Sequence, residues 1–157
     1  MKQRINSLEK AQGAVKAMYG INVYLAKSSI EKPLLDLIDF RVSQINGCAY
    51  CLDMHSKDLR ANGESEQRLY LLDAWREAPF YSDRERAALA WAEAVTTLPN
   101  RSVPDDVYED ARKEFSEEEL IELTMGVIAI NSYNRMNIAF RTTAGSYQVG
   151  QHAVHAN

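Results

Sequence analysis

Apolar residues recur every three or four positions along almost the whole chain, which is the spacing of one face of an α-helix. Signals for strands are nearly absent, because no Asn-Gly pair joins two alternating segments and few β-branched runs lie outside the helical pattern. The spacing therefore predicts an all-α fold, a helical bundle. In the first long segment the apolar face consists of Leu8, Ala11, Val15, Met18, Ile21 and Leu25.

Residues typical of helix ends divide the chain into about six to seven helices. Pro33 suits a first helical turn and Gly63 suits a left-handed C-terminal cap, while Ser82 and Ser116 each precede a glutamate by three positions, as in a capping box. The last helix is apolar all round at positions 123–130, which predicts burial in the core or against another subunit. The predicted helices cover about residues 7–28, 33–46, 48–62, 65–77, 82–98, 104–115 and 117–142.

The composition, 46% hydrophobic and 25% charged over 157 residues, is that of an ordinary globular protein. We expect one helical domain over 1–157, with a core over about 15–142 and a loose or partner-docked tail from 145 to 157. A net charge of −4 without a Lys/Arg cluster argues against nucleic acid as a partner. No window approaches the roughly 18 apolar residues of a membrane helix, and the first segment lacks a secretory signal, so we expect a cytoplasmic protein without a membrane partner.

The residues that indicate chemistry are two cysteines three positions apart, Cys48 and Cys51. A bridge between them would close a very small loop, so it would constrain the unfolded chain little and add little global stability. In a reducing compartment such a close pair is more typical of catalysis, redox chemistry or metal binding.

Both cysteines share a helical stripe with His55. At about 100° per residue the three side chains fall within an arc of about 60° on one helix. Cys48 lies in the first turn, where unpaired backbone N–H groups favour a thiolate, and Cys51 is four residues before His55, within reach of its imidazole directly or through one water. A nucleophile, a base and a second thiol are the parts of a thiol peroxidase. The start of the helix favours Cys48 as the attacking thiol. We nevertheless rank Cys51 higher as the attacking thiol, because only Cys51 lies four residues before His55.

Other interpretations of these residues are weaker. Zinc would need a fourth ligand, and only His152 and His155 in the tail remain to supply one. Haem attachment needs a histidine directly after the second cysteine, where Leu52 stands. Buried thiols could also merely pack a helix, but that reading leaves the alignment of the histidine unexplained. We therefore expect neither a metal nor a cofactor.

The segment INGCAYCLDMH at 45–55, with an acidic residue twelve positions before its first cysteine, resembles the alkylhydroperoxidase D-like branch of the carboxymuconolactone decarboxylase family. The resemblance implies an all-α homo-oligomer, a trimer or a hexamer. It also implies reduction of a small-molecule peroxide, with a lipoyl- or thioredoxin-like dithiol as electron donor. Carried over, Cys51 is the peroxidatic thiol, Cys48 is the resolving thiol, His55 relays protons and Asp36 is the acidic partner of His55.

Two positions depart from the family pattern. Asp36 stands where glutamate is usual and is one methylene shorter, so its carboxyl is expected to reach His55 through water. Tyr50 stands where the best-studied members have a second histidine, so proton delivery to Cys48 is expected to be slower, or to use Tyr50 or solvent. The main alternative function is a non-enzymatic redox sensor or scaffold. A decarboxylase-type lyase is less consistent with the sequence, because that branch generally lacks the cysteine pair.

Several polar residues have partners that the sequence does not identify. Arg41 could form an ion pair with Asp36 or with Asp39. Three asparagines recur at three-residue intervals on the last predicted helix, where hydrogen bonding between helices is the first interpretation and a role near the cysteines is the second. They are Asn131, Asn134 and Asn137.

Overall fold

Eight α-helices and no strand make up the regular structure of residues 2–152, the part of the chain that the computed structural model describes. The predicted all-α class is therefore confirmed. The helices are α1 Ser7–Lys10, α2 Gln12–Leu25, α3 Lys32–Asn46, α4 Ala49–Ala61, α5 Glu66–Leu71, α6 Asp83–Thr97, α7 Asp105–Glu114 and α8 Glu117–Phe140. Short 3₁₀ turns cover Leu72–Ala74 and Pro99–Arg101.

The number of helices exceeds the predicted six to seven because the first predicted helix is two helices. Ala11, with φ −142° and ψ 51°, leaves the helical region between α1 and α2. The spacing of apolar residues does not reveal a break of a single residue, because the apolar residues before and after the break still follow nearly the same helical period. Both predicted capping boxes are present: the side chains of Ser82 and Ser116 accept the N–H groups of Glu85 and Glu119.

The turn between α3 and α4 positions the cysteine pair. Gly47 adopts φ 67° and ψ 34°, the left-handed conformation that favours glycine, and it ends α3. The Cys48 N–H donates back to the Ser43 carbonyl at 3.1 Å. Cys48 thereby becomes the N-cap of α4, and its side chain lies at the open end of the helix.

The core lies between α3, α6 and α8, with smaller contributions from α4 and α7. In the apolar middle of α8 most side chains face this core, while Ile128 is 44% exposed. Gly126 allows α3 to approach, since a Cβ there would lie 3.1 Å from Leu35 Cδ2. No helix of residues 2–152, α8 included, is long and apolar enough to cross a membrane. Fully buried side chains include Leu37, Ile38, Val42, Leu89, Leu123 and Val127.

Arg41 pairs with neither of the two aspartates considered from the sequence. Its Nε contacts Glu93 Oε1 at 2.8 Å, and its Nη1 contacts Asp73. Glu93 also accepts the indole N–H of Trp75 at 2.9 Å. The expectation that Arg41 pairs with Asp36 or Asp39 is wrong because the arginine points from α3 towards α6 and the turn after α5.

The described part of the tail docks on α4 of its own chain. The Tyr147 hydroxyl donates to Asp58 at 2.7 Å, the Gly145 N–H donates to Asp53 at 2.9 Å, and Lys57 Nζ donates to the Tyr147 carbonyl at 3.1 Å. Tyr147 is almost completely buried. Positions 145–152 are therefore part of the fold, while positions 153–157 lie outside the described residues.

Candidate active site

The sulfur atoms of Cys48 and Cys51 lie 2.6 Å apart at the start of α4, and both cysteines are free thiols. The Cys51 N–H donates to Cys48 Sγ at 3.4 Å, so Cys48 caps the helix with its sulfur. A disulfide bond is about 2.05 Å long, so bond formation requires only a small approach of the two atoms. Each residue is 1% exposed, which places the pair beneath the protein surface.

Cys48 is the more acidic member of the pair. Its pKa is lowered to about 7, mainly by a hydrogen bond from the Cys51 thiol, while burial acts in the opposite direction. The backbone N–H groups of Cys51 and Tyr50 and the Asn134 amide stabilise the Cys48 thiolate further. The pKa of Cys51 is raised, because its thiol donates to Cys48, because it is buried, and because a second charge would lie beside the first. Near pH 7 the Cys48 thiol therefore begins to lose its proton, while the Cys51 thiol keeps its own.

A pH titration of the thiolate absorbance near 240 nm should show this asymmetry. We expect one thiolate to form with a midpoint near pH 7 in the reduced protein, and the second only at much higher pH. In Cys51→Ala the midpoint for Cys48 should rise, because the largest stabilising contact is lost. In Cys48→Ser the titration near pH 7 should disappear. A midpoint near pH 7 that persists in Cys48→Ser would contradict the assignment.

His55 is buried on the same face of α4, with 8% of its surface exposed. Its Nε2 has no hydrogen-bond partner in the described structure. Burial, and then the charge of Lys32, lower its pKa to about 4, so the imidazole is neutral at pH 7. Within residues 2–152 no hydrogen bond joins His55 to either sulfur or to Asp36.

Asp36 lies on α3, but its carboxylate is bound by Lys32, whose Nζ lies 2.6 and 2.7 Å from its two oxygens. Burial raises its pKa despite this partner, and the nearby charge of Asp58 adds to the effect. Asp39, one turn further along α3, has its pKa raised more strongly, chiefly by burial. Both acids and Lys32 belong to one polar stripe of α3. Lys32 was not identified from the sequence, although its spacing of four residues before Asp36 is the signal for such a pair.

The asparagines of α8 join three helices around the cysteines. Asn46 Nδ2 donates to Asn131 at 3.0 Å and to Asn134 at 2.9 Å, and Asn134 in turn donates to Ser43 on α3 at 3.0 Å. These bonds confirm the predicted hydrogen bonding between helices. Asn137 Nδ2 also donates to Cys51 Sγ at 3.4 Å, so the role near the cysteines is observed as well.

A second histidine reaches the site from the tail. Tyr50 Oη lies 3.0 Å from Nε2 of His152. The sequence indicates His152 only as a possible zinc ligand, because the spacing gives no sign that the tail folds back onto α4. Within residues 2–152 no three of His, Cys, Asp and Glu are grouped as a metal site, and His155 lies outside that range.

Comparisons with known proteins agree with this architecture. The sequence profile of the carboxymuconolactone decarboxylase family matches residues 9–94, which include both cysteines and His55. The uncharacterized protein YdfG of Bacillus subtilis (strain 168) is 44% identical over 146 residues, and the match covers 93% of this chain and 99% of YdfG. The family resemblance expected from the cysteine motif is confirmed.

Solved structures share the fold. A protein of unknown function from Agrobacterium tumefaciens, proposed to be an antioxidant defence protein AhpD, superimposes with a TM-score of 0.88 at 41% identity, covering 93% of this chain and 100% of that chain. The debrominase Bmp8 superimposes with a TM-score of 0.77 at 24% identity, covering 89% of this chain and 75% of that chain. Because proteins with these different descriptions share the fold, the activity has to be argued from the site.

Proposed function

Since the chain belongs to the carboxymuconolactone decarboxylase family, we propose that it is a thiol-dependent peroxidase that reduces organic peroxides or hydrogen peroxide by a Cys48–Cys51 dithiol/disulfide cycle. The observation that carries the proposal is the 2.6 Å contact between two thiols at a helix N-terminus, one of them held close to its thiolate form. A family that contains enzymes, and a relative in structure proposed to act in antioxidant defence, support it.

Cys51 attacks the peroxide in this cycle. Its proton passes to the Cys48 sulfur 2.6 Å away, and the Cys51 thiolate then attacks one peroxide oxygen. The O–O bond breaks, the released oxygen takes up the proton that Cys48 received and leaves as an alcohol or water, and Cys51 becomes a sulfenic acid while Cys48 is again a thiolate. Asn137, which donates to Cys51 Sγ, stabilises the thiolate during the attack.

Cys48 closes the disulfide. Its thiolate attacks the sulfur of the Cys51 sulfenic acid, the S–O bond breaks, and the hydroxide takes up a proton from solvent and leaves as water. The peroxide has then gained two electrons and the dithiol has lost two. The helix start that stabilises the Cys48 thiolate also makes Cys48 the better leaving group when an external dithiol reopens the bond. We assign that role to a lipoyl- or thioredoxin-like donor of the cytoplasm.

We assign to His55 the transfer of the first-step proton from the Cys48 sulfur to the oxygen that leaves the peroxide. It is neutral at pH 7 and its Nε2 has no hydrogen-bond partner among residues 2–152, so it can accept a proton transiently during the reaction even though burial disfavours the charged form. We assign to Asp36, on the neighbouring helix α3, the role of acidic partner of His55, reached through water; its carboxylate also binds Lys32. His55→Ala is therefore expected to slow turnover while the fold stays intact.

A turnover assay tests the proposal against its alternatives. With dithiothreitol or a lipoyl protein as donor, an enzyme consumes many equivalents of peroxide per chain, whereas a redox sensor or scaffold reacts once. Consumption of a single equivalent would favour the sensor. Decarboxylation of a lactone acid without consumption of peroxide would favour the lyase branch of the family.

We further propose that the chain forms a homo-oligomer through α8 and α2. The apolar side chains of Ile121, Ile128, Val23 and Tyr24 are exposed on these helices. Ile128→Asp would place an unpaired charge in such an interface, so it should shift the mass measured by light scattering to that of a monomer at micromolar concentration. Tyr70→Asp, at an exposed position on α5, is the matched control and should leave the mass unchanged. An unchanged mass in Ile128→Asp would contradict this interface.

A further inference from the structure

The last turn of α8 places one side-chain amide directly against the cysteine pair. Nδ2 of Asn137 lies 3.4 Å from Cys51 Sγ and donates to it. One turn earlier α8 is held in register, because the fully buried Asn134 donates to Ser43 of α3 at 3.0 Å. The Asn137 carbonyl accepts the Thr142 N–H at 2.9 Å, which closes the end of the helix. The backbone that carries this amide is therefore fixed before and after it.

The Asn137 amide is the first donor in a chain of hydrogen bonds that ends on Cys48. Cys51 accepts from the amide, and the Cys51 thiol donates to Cys48 Sγ, 2.6 Å away. The Cys48 sulfur also accepts the Cys51 N–H at 3.4 Å. Hydrogen bonds in a chain polarise one another, so a donor to Cys51 makes the Cys51 thiol a better donor to Cys48. Asn137 therefore stabilises the form of the pair in which Cys48 is a thiolate.

Oxidation removes most of this chain. In a disulfide the hydrogen of the Cys51 thiol is absent, so the bond from Cys51 to Cys48 no longer exists. Neither sulfur then carries a charge, and hydrogen bonds to uncharged acceptors are about half as strong as those to charged ones. The amide of Asn137 consequently gains more from the reduced pair than from the oxidised pair.

We propose that Asn137 shifts the equilibrium of the Cys48–Cys51 pair towards the dithiol and so favours its recharging by the electron donor. This inference rests on the proposed function, since it concerns the half of the cycle in which the disulfide is reopened. A donor thiolate attacks Cys51 and Cys48 leaves; the second donor thiolate then attacks the mixed disulfide, and Cys51 leaves as a thiolate. Asn137 already donates to the sulfur on which that charge develops.

Electrons and protons balance in this exchange. The donor dithiol loses two electrons and becomes a disulfide, while the cysteine pair gains two. Of the two protons that the donor gives up, one returns to Cys51 and the other goes to solvent, and Cys48 is left as the thiolate.

A redox equilibrium measured on the full-length protein tests this role. The protein is equilibrated without oxygen in mixtures of reduced and oxidised dithiothreitol, its free thiols are alkylated, and dithiol and disulfide are quantified by mass spectrometry. In Asn137→Ala we expect the equilibrium constant to move about fivefold towards the disulfide, the effect of one lost hydrogen bond. Asn137→Asp has the same size but no donor, and its carboxylate lies beside the thiolate, so it should shift the constant at least as far. In both variants the thiolate midpoint near pH 7 should rise.

Asn131→Ala is the matched control, because it removes an amide from the same helix that bonds to other helices instead of to a sulfur. Asn131 donates to Thr96 of α6 at 2.9 Å and accepts from Asn46 of α3 at 3.0 Å. If Asn137 only helped to pack the helices, the two alanine variants would behave alike. We expect the constant of Asn131→Ala to stay within about twofold of that of the unmodified protein, even where thermal unfolding shows a loss of stability.

The outcomes distinguish failure of this inference from failure of the proposed function. An unchanged constant in Asn137→Ala, or an equal shift in Asn131→Ala, would overturn the role of Asn137 while leaving the peroxidase cycle in place. If the constants shifted as expected but the reduced protein consumed no peroxide, the proposed function would fail and the effect of Asn137 on the equilibrium would stand. If oxidised dithiothreitol formed no Cys48–Cys51 disulfide in the unmodified protein, both would fail.

Discussion

Replacing Cys51 by serine is expected to lower multiple-turnover peroxide reduction by about 100-fold or more. A serine hydroxyl is far less acidic than a thiol and cannot form the sulfenic acid or the disulfide, so both oxidised states of the cycle are lost. Cys51 is fully buried beside Cys48 and Asn137, and the slightly smaller hydroxyl fits the same space. The change should therefore act on chemistry rather than on folding, which a thermal unfolding curve measured in parallel can check.

The matched control is Cys48→Ser, because the two cysteines are equally buried and only 2.6 Å apart. That variant should still react once with peroxide, and dimedone should then trap a sulfenic acid on Cys51. It should fail to form an intramolecular disulfide. Two results for Cys51→Ser would show that the roles of the two thiols are reversed. One is peroxide reduction at the normal rate, and the other is trapping of a sulfenic acid on its remaining cysteine, Cys48.

The sequence predicts the local geometry of this site well and its distant partners poorly. Cys48 and Cys51 are three residues apart at the start of α4, so helical spacing is enough to bring their sulfur atoms together. The capping position of Cys48 follows from Gly47, whose left-handed conformation ends α3. Both depend on neighbours in the sequence, which is where propensity and periodicity carry information.

The contacts that the sequence does not predict join residues that are far apart in the chain. Arg41 contacts Glu93, and His152 contacts Tyr50 across about a hundred positions. Such pairs depend on how helices cross and on where the tail returns, and no residue spacing encodes either. The tail carries no apolar period, so its docking rests on single contacts such as the one between Tyr147 and Asp58.

Acidification from about pH 7 to pH 4 is expected to cost about 3 kcal/mol of unfolding free energy through His55 alone. In the folded protein its pKa is lowered to about 4, by burial first and then by the charge of Lys32. An unfolded histidine titrates near about 6.5. Between the two pKa values the unfolded chain binds a proton that the folded protein excludes. The stability that His55 contributes is therefore fully present above the unfolded pKa and is lost as the pH falls to and through the folded pKa.

Urea unfolding followed by far-UV circular dichroism at both pH values measures this cost, and His55→Gln isolates it because glutamine does not titrate.

Asp39 acts with the opposite sign: burial raises its pKa, so the folded protein keeps a proton that the unfolded chain releases, and acid stabilises the fold through this group. Asp39→Asn should therefore steepen the loss on acidification, whereas His55→Gln should flatten it. An equal loss in His55→Gln and in the unmodified protein would mean that the imidazole is not buried in its neutral form. The proposed relay requires that form at pH 7, since a histidine that is already charged cannot accept a proton from the site.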